Sequence, residues 1–292
     1  MSSSTNPTLT PNQLNFFATE GYLIVRELFS LTEVAAMREH FTAIHAAGPI
    51  EGWFNPVPLD ETGGDLLQHY PRIVHPHRWN QQCRTWMLDE RIGAIMHDLF
   101  GEEAYAAQSM FYFKPPGARG QALHQDDFYL RTQPGACIAS WLAVDAADRE
   151  NGGLFVVRGS HKLDVLCPRP ADMSRSFTIE EVEVPDGVEP VPADLAAGDV
   201  LFFNGSVIHG SWPNISRERF RRSFICHYVG ASTAAMSRGY SPLVNFDGEE
   251  VHIGVAEGGG PCGSEEMAEF ERAKAMFKDE CRTGILQGAI AP

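Results

Sequence analysis

Leu123-His124-Gln125-Asp126-Asp127 and, well downstream, Ile208-His209-Gly210 are the stretches whose reading decides the fold. His124 and Asp126 stand two residues apart, so on an extended chain both side chains point to one face. His209 follows Asp199-Val200-Leu201-Phe202-Phe203, an apolar run that predicts a buried strand. Two imidazoles and one carboxylate on a rigid β scaffold make a facial triad that holds a divalent metal and leaves coordination positions open. A His-x-Asp pair alone says little, because surface and turn positions account for most such pairs. The order of the pieces says more: His-x-Asp early in a β region, a histidine after a buried strand, then basic residues on the strand that follows.

Outward from these motifs the hydrophobic period is that of strands. Ala104 to Phe113 alternates and ends at Lys114-Pro115-Pro116-Gly117. Further strands are predicted at 124–129, 136–144, 154–157, 181–184, 200–203 and 223–229, parted by turns such as Asn151-Gly152-Gly153. That pattern predicts a mainly β jelly roll with flanking helices. Ahead of it, Thr10-Pro11-Asn12-Gln13 is a capping box with proline at the first helical position, and Gly21 stops the helix. Ser30-Leu31-Thr32-Glu33 opens a second helix with Val34, Met37, Phe41 and Ile44 on one face. A third, amphipathic helix is predicted from Arg84 to Phe100, and a last one from Ser264 to Phe277. Between the second and third, residues 49–80 read as a long irregular loop, a candidate lid over the core. No repeat or linker divides the chain, so one domain over 1–292 is expected: helices and lid loop at 10–103, jelly-roll core at about 104–230, tail at 231–292.

Composition narrows the function classes. The 43% hydrophobic and 21% charged content is that of a globular protein, and no apolar run reaches the roughly 18 residues of a membrane helix. A net charge of −15 argues against nucleic acid, which needs a basic face. The first residues have neither the basic start nor the apolar core of a signal peptide, so a cytoplasmic setting is expected. The scattered cysteines, with no C-x-x-C pair, read as reduced packing thiols. Nothing in the sequence reads out an oligomeric state.

The basic strand completes the chemistry. In Arg217-Glu-Arg219-Phe-Arg221-Arg222-Ser223, an exposed basic cluster describes part of the run, yet Arg221, Ser223, Ile225 and His227 share one strand face. An arginine aimed into a β core needs a buried anion, and its planar fork suits a carboxylate. A dicarboxylate that chelates the metal at one end and meets this arginine at the other fits.

These residues resemble the phytanoyl-CoA dioxygenase-like family of Fe(II)/2-oxoglutarate oxygenases. The resemblance runs from about Phe16 to Val229. It rests on the strand from Gln108 to Lys114-Pro115, on Leu123-His124-Gln125-Asp126, and on Trp141. It continues through Asn151-Gly152-Gly153-Leu154, Gly159-Ser160-His161-Lys162, Gly198-Asp199, His209-Gly210-Ser211, Asn214-x-Ser216 and the arginine strand. It implies a double-stranded β-helix, with His124, Asp126 and His209 on iron, Arg221 on the distal carboxylate of 2-oxoglutarate, and Ser211, Trp141 and Gln108 lining the same pocket. Two departures stand out. Arg221 lies one residue further from His209 than the family's usual spacing, which leaves Arg222 as the alternative. Arg158 replaces a proline before Gly159-Ser160.

The implied reaction uses O2, decarboxylates 2-oxoglutarate to succinate and hydroxylates, or otherwise oxidises, a substrate. Family halogenases lack the carboxylate ligand, so Asp126 points away from halogenation. Gln125, Asp127, Tyr129 and Arg131 beside the metal motif, and His75 in the lid loop with Trp53, His69, Arg72 and His77, are candidate substrate contacts. A small polar or natural-product molecule is favoured over a CoA thioester, since the negative chain offers a polyanion no general attraction. The competing class is a metal-binding jelly roll without oxygenase activity, such as a cupin-like isomerase or a binding protein. A degenerate, regulatory member of the oxygenase family is a third.

Overall fold

The computed structural model describes residues 8–184 and 188–256. The expected helix at 264–277 lies outside them. Before the core come helix α1 (Pro11–Glu20), strand β1 (Tyr22–Val25), α2 (Leu31–Ala47), α3 (Leu66–His69), β2 (Ile73–Val74), α4 (Gln81–Met87) and α5 (Glu90–Phe100). The core holds β3 (Ala104–Tyr112), β4 (Gln121–His124), the single turn α6 (Asp127–Leu130), β5 (Ile138–Ala143) and β6 (Leu154–Val156). A small ribbon, β7 (Arg169–Pro170) and β8 (Glu180–Glu181), precedes β9 (Val191–Ala193), β10 (Val200–Asn204), β11 (His209–Ser211) and β12 (Ser223–Gly230). Four short strands follow: β13 (Ala235–Met236), β14 (Leu243–Val244), β15 (Glu250–Val251) and β16 (Gly254–Val255).

The strands form two facing antiparallel sheets. The larger runs β1-β10-β5-β12-β3-β14-β15, with β2 beside β3; the smaller runs β4-β11-β6-β9. Alternation along each strand decides what each face does. Phe111, Ile138, Leu142, Phe202, Phe224 and Tyr228 turn outward and pack with Phe17, Phe41, Met87 and Ile95 of the helices. The residues beside them, Met110, Trp141, Leu201, Phe203 and Ile225, turn inward toward Leu154 and Val156 of the smaller sheet. β12 is buried along its whole length, as a central strand covered on both faces must be. This is the expected jelly roll.

The expected capping box of Thr10 with Gln13 forms, and the expected helix start at Ser30 is a capping box as well, with Glu33. Other local expectations need correction. The helix expected from Arg84 to Phe100 is two, because the Asp89 carboxylate accepts the Arg91 N–H at 3.0 Å and caps a new start. The strand expected at 124–129 ends at His124; Asp126 is helical in backbone (φ −65°, ψ −33°) and begins the turn of α6. The loop at 49–80 contains α3 and β2, which anchors it to β3 through Ile73–Phe111 and Val74–Met110. The strand expected at 181–184 is the short β8 instead. Cys83, Cys137 and Cys226 are free and buried, but Cys167 is disulfide-bonded, against the expectation of reduced thiols throughout. Among the described residues no helix is long and apolar enough to cross a membrane.

Candidate active site

Between the sheets lies a cavity of about 520 Å³. Alternate residues of the inner face line it: Gln108, Met110 and Tyr112 from β3, Trp141 from β5, and Ile225 and His227 from β12, with Arg221 just before that strand. Gln121 and His124 of β4 and His209 and Ser211 of β11 form the opposite wall. These two strands are neighbours, and His124 and His209 are direct register partners.

That pairing assembles the triad. The imidazole centroids of His124 and His209 are 4.2 Å apart. Asp126 reaches them from the turn: its Oδ1 lies 3.6 Å from His124 Nε2 and its Oδ2 lies 3.8 Å from His209 Nε2. One donor atom from each of the three lies within 4.8 Å of the others. The segment is not extended at Asp126; the chain turns the carboxylate inward by entering a helix.

Local hydrogen bonds set the donor chemistry. His124 Nδ1–H donates to Ala122 O, and His209 Nδ1–H donates to Val207 O, both at 2.9 Å. Each ring therefore carries its lone pair on Nε2, facing Asp126. Burial, helped by neighbouring His209, pushes the His124 pKa down to about 4, so the ring is neutral near pH 7. Burial alone would raise the Asp126 carboxyl. The imidazoles of His209 and His227, the His227 hydrogen bond and His124 outweigh it and hold the group below the usual carboxylate range. Imidazole nitrogens and an ionised carboxylate are donors that Fe(II) takes, so the residues fit the metal.

His227 adds a residue that the metal motif does not contain. Its Nε2–H donates to Asp126 Oδ2 at 2.9 Å from a ring only 2% exposed. Gln121 is another, with its amide donating to His124 Nε2 at 2.9 Å.

A buried arginine lines the same cavity. Arg221 is 3% exposed; its Nε donates to Gly152 O at 3.1 Å and its Nη1 to Ser223 Oγ at 2.6 Å. Its guanidinium carbon sits 5.1 Å from the Trp141 ring and 5.9 Å from the Tyr112 ring. Burial lowers its pKa to about 10, still cationic at neutral pH. Arg222, the alternative, points elsewhere: its Nε and backbone N–H donate to Asp145, at 2.6 and 3.0 Å, and it does not line the cavity. Arg158, where the family has proline, lies outside the site and ion-pairs with Glu20.

Ser211, Trp141 and Gln108 line the cavity with Arg221. Of the candidate substrate contacts Tyr129 does, while Gln125, Arg131 and His75 do not. Gln125 is fully buried because its amide serves the backbone, donating to Ser206 O and accepting from Leu166 N–H. Asp127 likewise accepts from Cys137 N–H and Ser206 Oγ–H. Arg131 caps α6 in a left-handed conformation (φ +53°). His75 also has positive φ (+53°) and turns toward His77 and Tyr240. From the lid loop, Arg72 and Val74 reach the cavity, where Tyr112, Phe177, Thr178, Glu180 and Tyr240 join them. Tyr112 was legible as the next alternate residue after Gln108 and Met110. Tyr240 and Phe177 carry no local signal.

A family model described as phytanoyl-CoA dioxygenase (PhyH) matches residues 17–223. Phytanoyl-CoA dioxygenase 1 of Oryza sativa subsp. japonica is 26% identical over 239 residues, covering 71% of this chain and 85% of that protein. In fold, the carbocyclase SnoK from nogalamycin biosynthesis superposes with TM-score 0.61 at 20% identity, covering 86% of this chain and 94% of that one. EctD from S. alaskensis, solved with 2-oxoglutarate and 5-hydroxyectoine, does so with TM-score 0.61 at 21% identity, covering 80% of each chain. With the family's match spanning most of its length, and the donors of an iron site meeting in its cavity, the chain belongs to the phytanoyl-CoA dioxygenase family of Fe(II)- and 2-oxoglutarate-dependent oxygenases.

Proposed function

We propose that the enzyme hydroxylates, or otherwise oxidises, a small polar metabolite or natural-product intermediate, with His124, Asp126 and His209 as the iron ligands. Arg221, Ser211, Trp141 and Gln108 form the seat of 2-oxoglutarate in this reading, and 1–292 is one oxygenase domain. The observation that carries it is one cavity with two ends: two imidazoles and a carboxylate at one, a buried arginine at the other. When bound, iron, 2-oxoglutarate and O2 supply an oxidative decarboxylation to succinate, coupled to oxidation of the substrate.

The chain's own residues do the rest. His124 and His209 present Nε2 lone pairs fixed by backbone carbonyls, and Asp126 presents an anion held in place by His227. Arg221 offers a forked donor to the distal carboxylate. Trp141 and Ile225 give that end apolar walls, and Phe203 packs on the His209 ring at the other. Tyr112, Tyr129, Tyr240 and Arg72 supply donors to a polar substrate, beside Met110 and Phe177 as an apolar surface. The net charge of −15 supports a small-molecule partner and opposes nucleic acid.

The test is anaerobic reconstitution with Fe(II) and 2-oxoglutarate, watching for the weak visible metal-to-ligand charge-transfer band. The parent develops the band; His124→Ala and Asp126→Ala lose it, and Arg221→Ala needs far more 2-oxoglutarate. Iron binding without a band in the parent would favour the non-oxygenase jelly-roll reading. For the substrate class, turnover of an acyl-CoA and of no small metabolite in a mass-spectrometric screen would sink the preference stated here.

A further inference from the structure

Residues 176–182 run beside β4 without matching its length. Ser176 stands opposite Gly120, where Phe177 N–H donates to Gly120 O and Ala122 N–H to Ser176 Oγ, both at 3.0 Å. The next tie is Val182 N–H to Leu123 O at 2.8 Å. Three residue steps on one segment, Gly120 to Leu123, are thus matched by six on the other, Ser176 to Val182, and the surplus must bulge. It bulges at the cavity, which Phe177, Thr178, Ile179 and Glu180 all line. β7 braces the bulge: Ala171 N–H donates to Ile179 O at 2.9 Å, and Pro170 stands opposite Glu180.

The bulge sets a charge where the proposed iron and co-substrate sites do not call for one. Glu180 is 7% exposed, and Tyr129 O–H donates to its Oε2 at 3.4 Å. Among the described residues two carboxylates line the cavity: Asp126, which belongs to the triad, and Glu180. The Tyr129 ring lies 6.4 Å from the His124 ring, which puts Glu180 toward the triad. The cations gather at Tyr112 instead. Arg72 Nη1 donates to its hydroxyl at 3.4 Å, and the Arg221 guanidinium carbon lies 5.9 Å from its ring. A buried carboxylate attracts a cation and repels an anion far more strongly than one in water does. The rings of Tyr129, Tyr240 and Phe177 line the same space, and aromatic faces attract cations too.

We infer that Glu180 determines substrate specificity, and that the substrate carries a cationic nitrogen, an ammonium or a group of like charge. Glu180 accepts its N–H, the neighbouring rings pack on its carbons, and the carbon to be oxidised is held toward the triad. The net charge of −15 favours the approach of such a cation. This substrate class narrows the small polar molecule of the proposed function and rests on that reading of the cavity.

The experiment uses the full chain loaded with Mn(II) and 2-oxoglutarate, with binding of both established first by calorimetry. Three probes share one ring and differ in charge: cyclohexylammonium, cyclohexanol and cyclohexanecarboxylate. Proton NMR reads the broadening of each probe by Mn(II) against a Zn(II)-loaded blank, which reports affinity and closeness to the metal together. In the parent, cyclohexylammonium binds about tenfold more tightly than the alcohol, as a hydrogen bond to a charged group requires, and the carboxylate binds worst. Glu180→Gln, which keeps an oxygen for Tyr129, brings the ammonium to within about twofold of the alcohol and leaves the alcohol unchanged. Glu180→Lys reverses the ranking of ammonium and carboxylate. Equal binding of ammonium and alcohol in the parent, or no broadening of any probe, overturns the inference. So does Glu180→Gln if it weakens both probes equally, the mark of a merely structural role, or if it leaves the ammonium preference intact. The parent's ranking decides even where a variant does not fold. Failure of Mn(II) or 2-oxoglutarate to bind at the outset is a different result: it sinks the oxygenase reading, and this inference falls with it.

Discussion

Replacing His227 with phenylalanine should weaken metal binding without touching any proposed ligand. The ring is 2% exposed and gives Asp126 Oδ2 a hydrogen bond of 2.9 Å, so phenylalanine fills nearly the same space and removes the donor. A buried hydrogen bond to a charged acceptor is worth about 1.5–3 kcal/mol. At about 1.4 kcal/mol per tenfold change, this corresponds to roughly 10- to 100-fold in affinity. Outer residues that orient metal ligands elsewhere have effects of about the same size. The geometry says why: with Oδ2 occupied by His227, the carboxylate is held with Oδ1 toward His124. Without that bond it rotates, and an orientation must be selected on binding. The assay is anaerobic competition for Co(II) against a fluorescent chelator, with His227→Gln, which keeps an N–H donor, beside His227→Phe. Circular dichroism and a melting curve of the metal-free proteins establish that both fold. A dissociation constant for folded His227→Phe within threefold of the parent would refute the reasoning.

Other perturbations test the frame and the charge state. Tyr228→Phe removes the donor to Met87 O (2.7 Å, both groups buried) and should cost about 1–3 kcal/mol by denaturant unfolding with no change in metal affinity. Phe41 is fully buried and stacks on Phe111 at 3.8 Å, so Phe41→Ala should cost about 3–5 kcal/mol by the same measurement. Burial lowers the pKa of His75 to about 4 and of His77 to about 3, against 6.5 for a free histidine. The unfolded chain then binds more protons below 6.5, so their stability contribution is complete above that pH and declines as pH falls toward 4 and 3. Denaturant midpoints between pH 7 and 4 should fall accordingly, and less steeply in His77→Asn. Saturating Co(II) and 2-oxoglutarate should raise the unfolding free energy by about 2.7 kcal/mol for each ligand present at one hundred times its dissociation constant, read as a melting shift that a chelator reverses.

Much of this was legible in the sequence because it follows from alternation. Met110 beside Phe111, Leu201 beside Phe202 and Phe224 beside Ile225 announce strands buried on both sides, and the two faces are the two cores. The caps at Thr10 and Ser30 are local chemistry, and local chemistry reads directly. The failures have physical causes too. Asp89 is a short carboxylate that caps a helix start and so ended the element expected to run through it, whereas the Asp126 carboxylate caps nothing and is held by His227, a partner far along the chain. Gln125 sat between two metal-motif residues, yet its partners, Ser206 and Leu166, lie far along the chain. Tyr240 and Phe177 reach the cavity through tertiary packing alone. Arg222 is held out of the cavity by Asp145, a partner that no spacing rule reveals.

The pairing of β4 with β11 has a consequence for how the chain folds. His124 and His209 face one another only in the observed register, and a slip of one residue would send the histidine of the shifted strand to the other face of the sheet. Chain segments so far apart must find each other late, after the entropy of a large loop has been lost. On the proposed ligand set a metal ion therefore has no complete site until the correct register exists, and once bound it would stabilise that register alone. The ion selects among finished sheets and does not nucleate them, so refolding without metal should proceed at the same rate and end in the same fold, only less firmly locked.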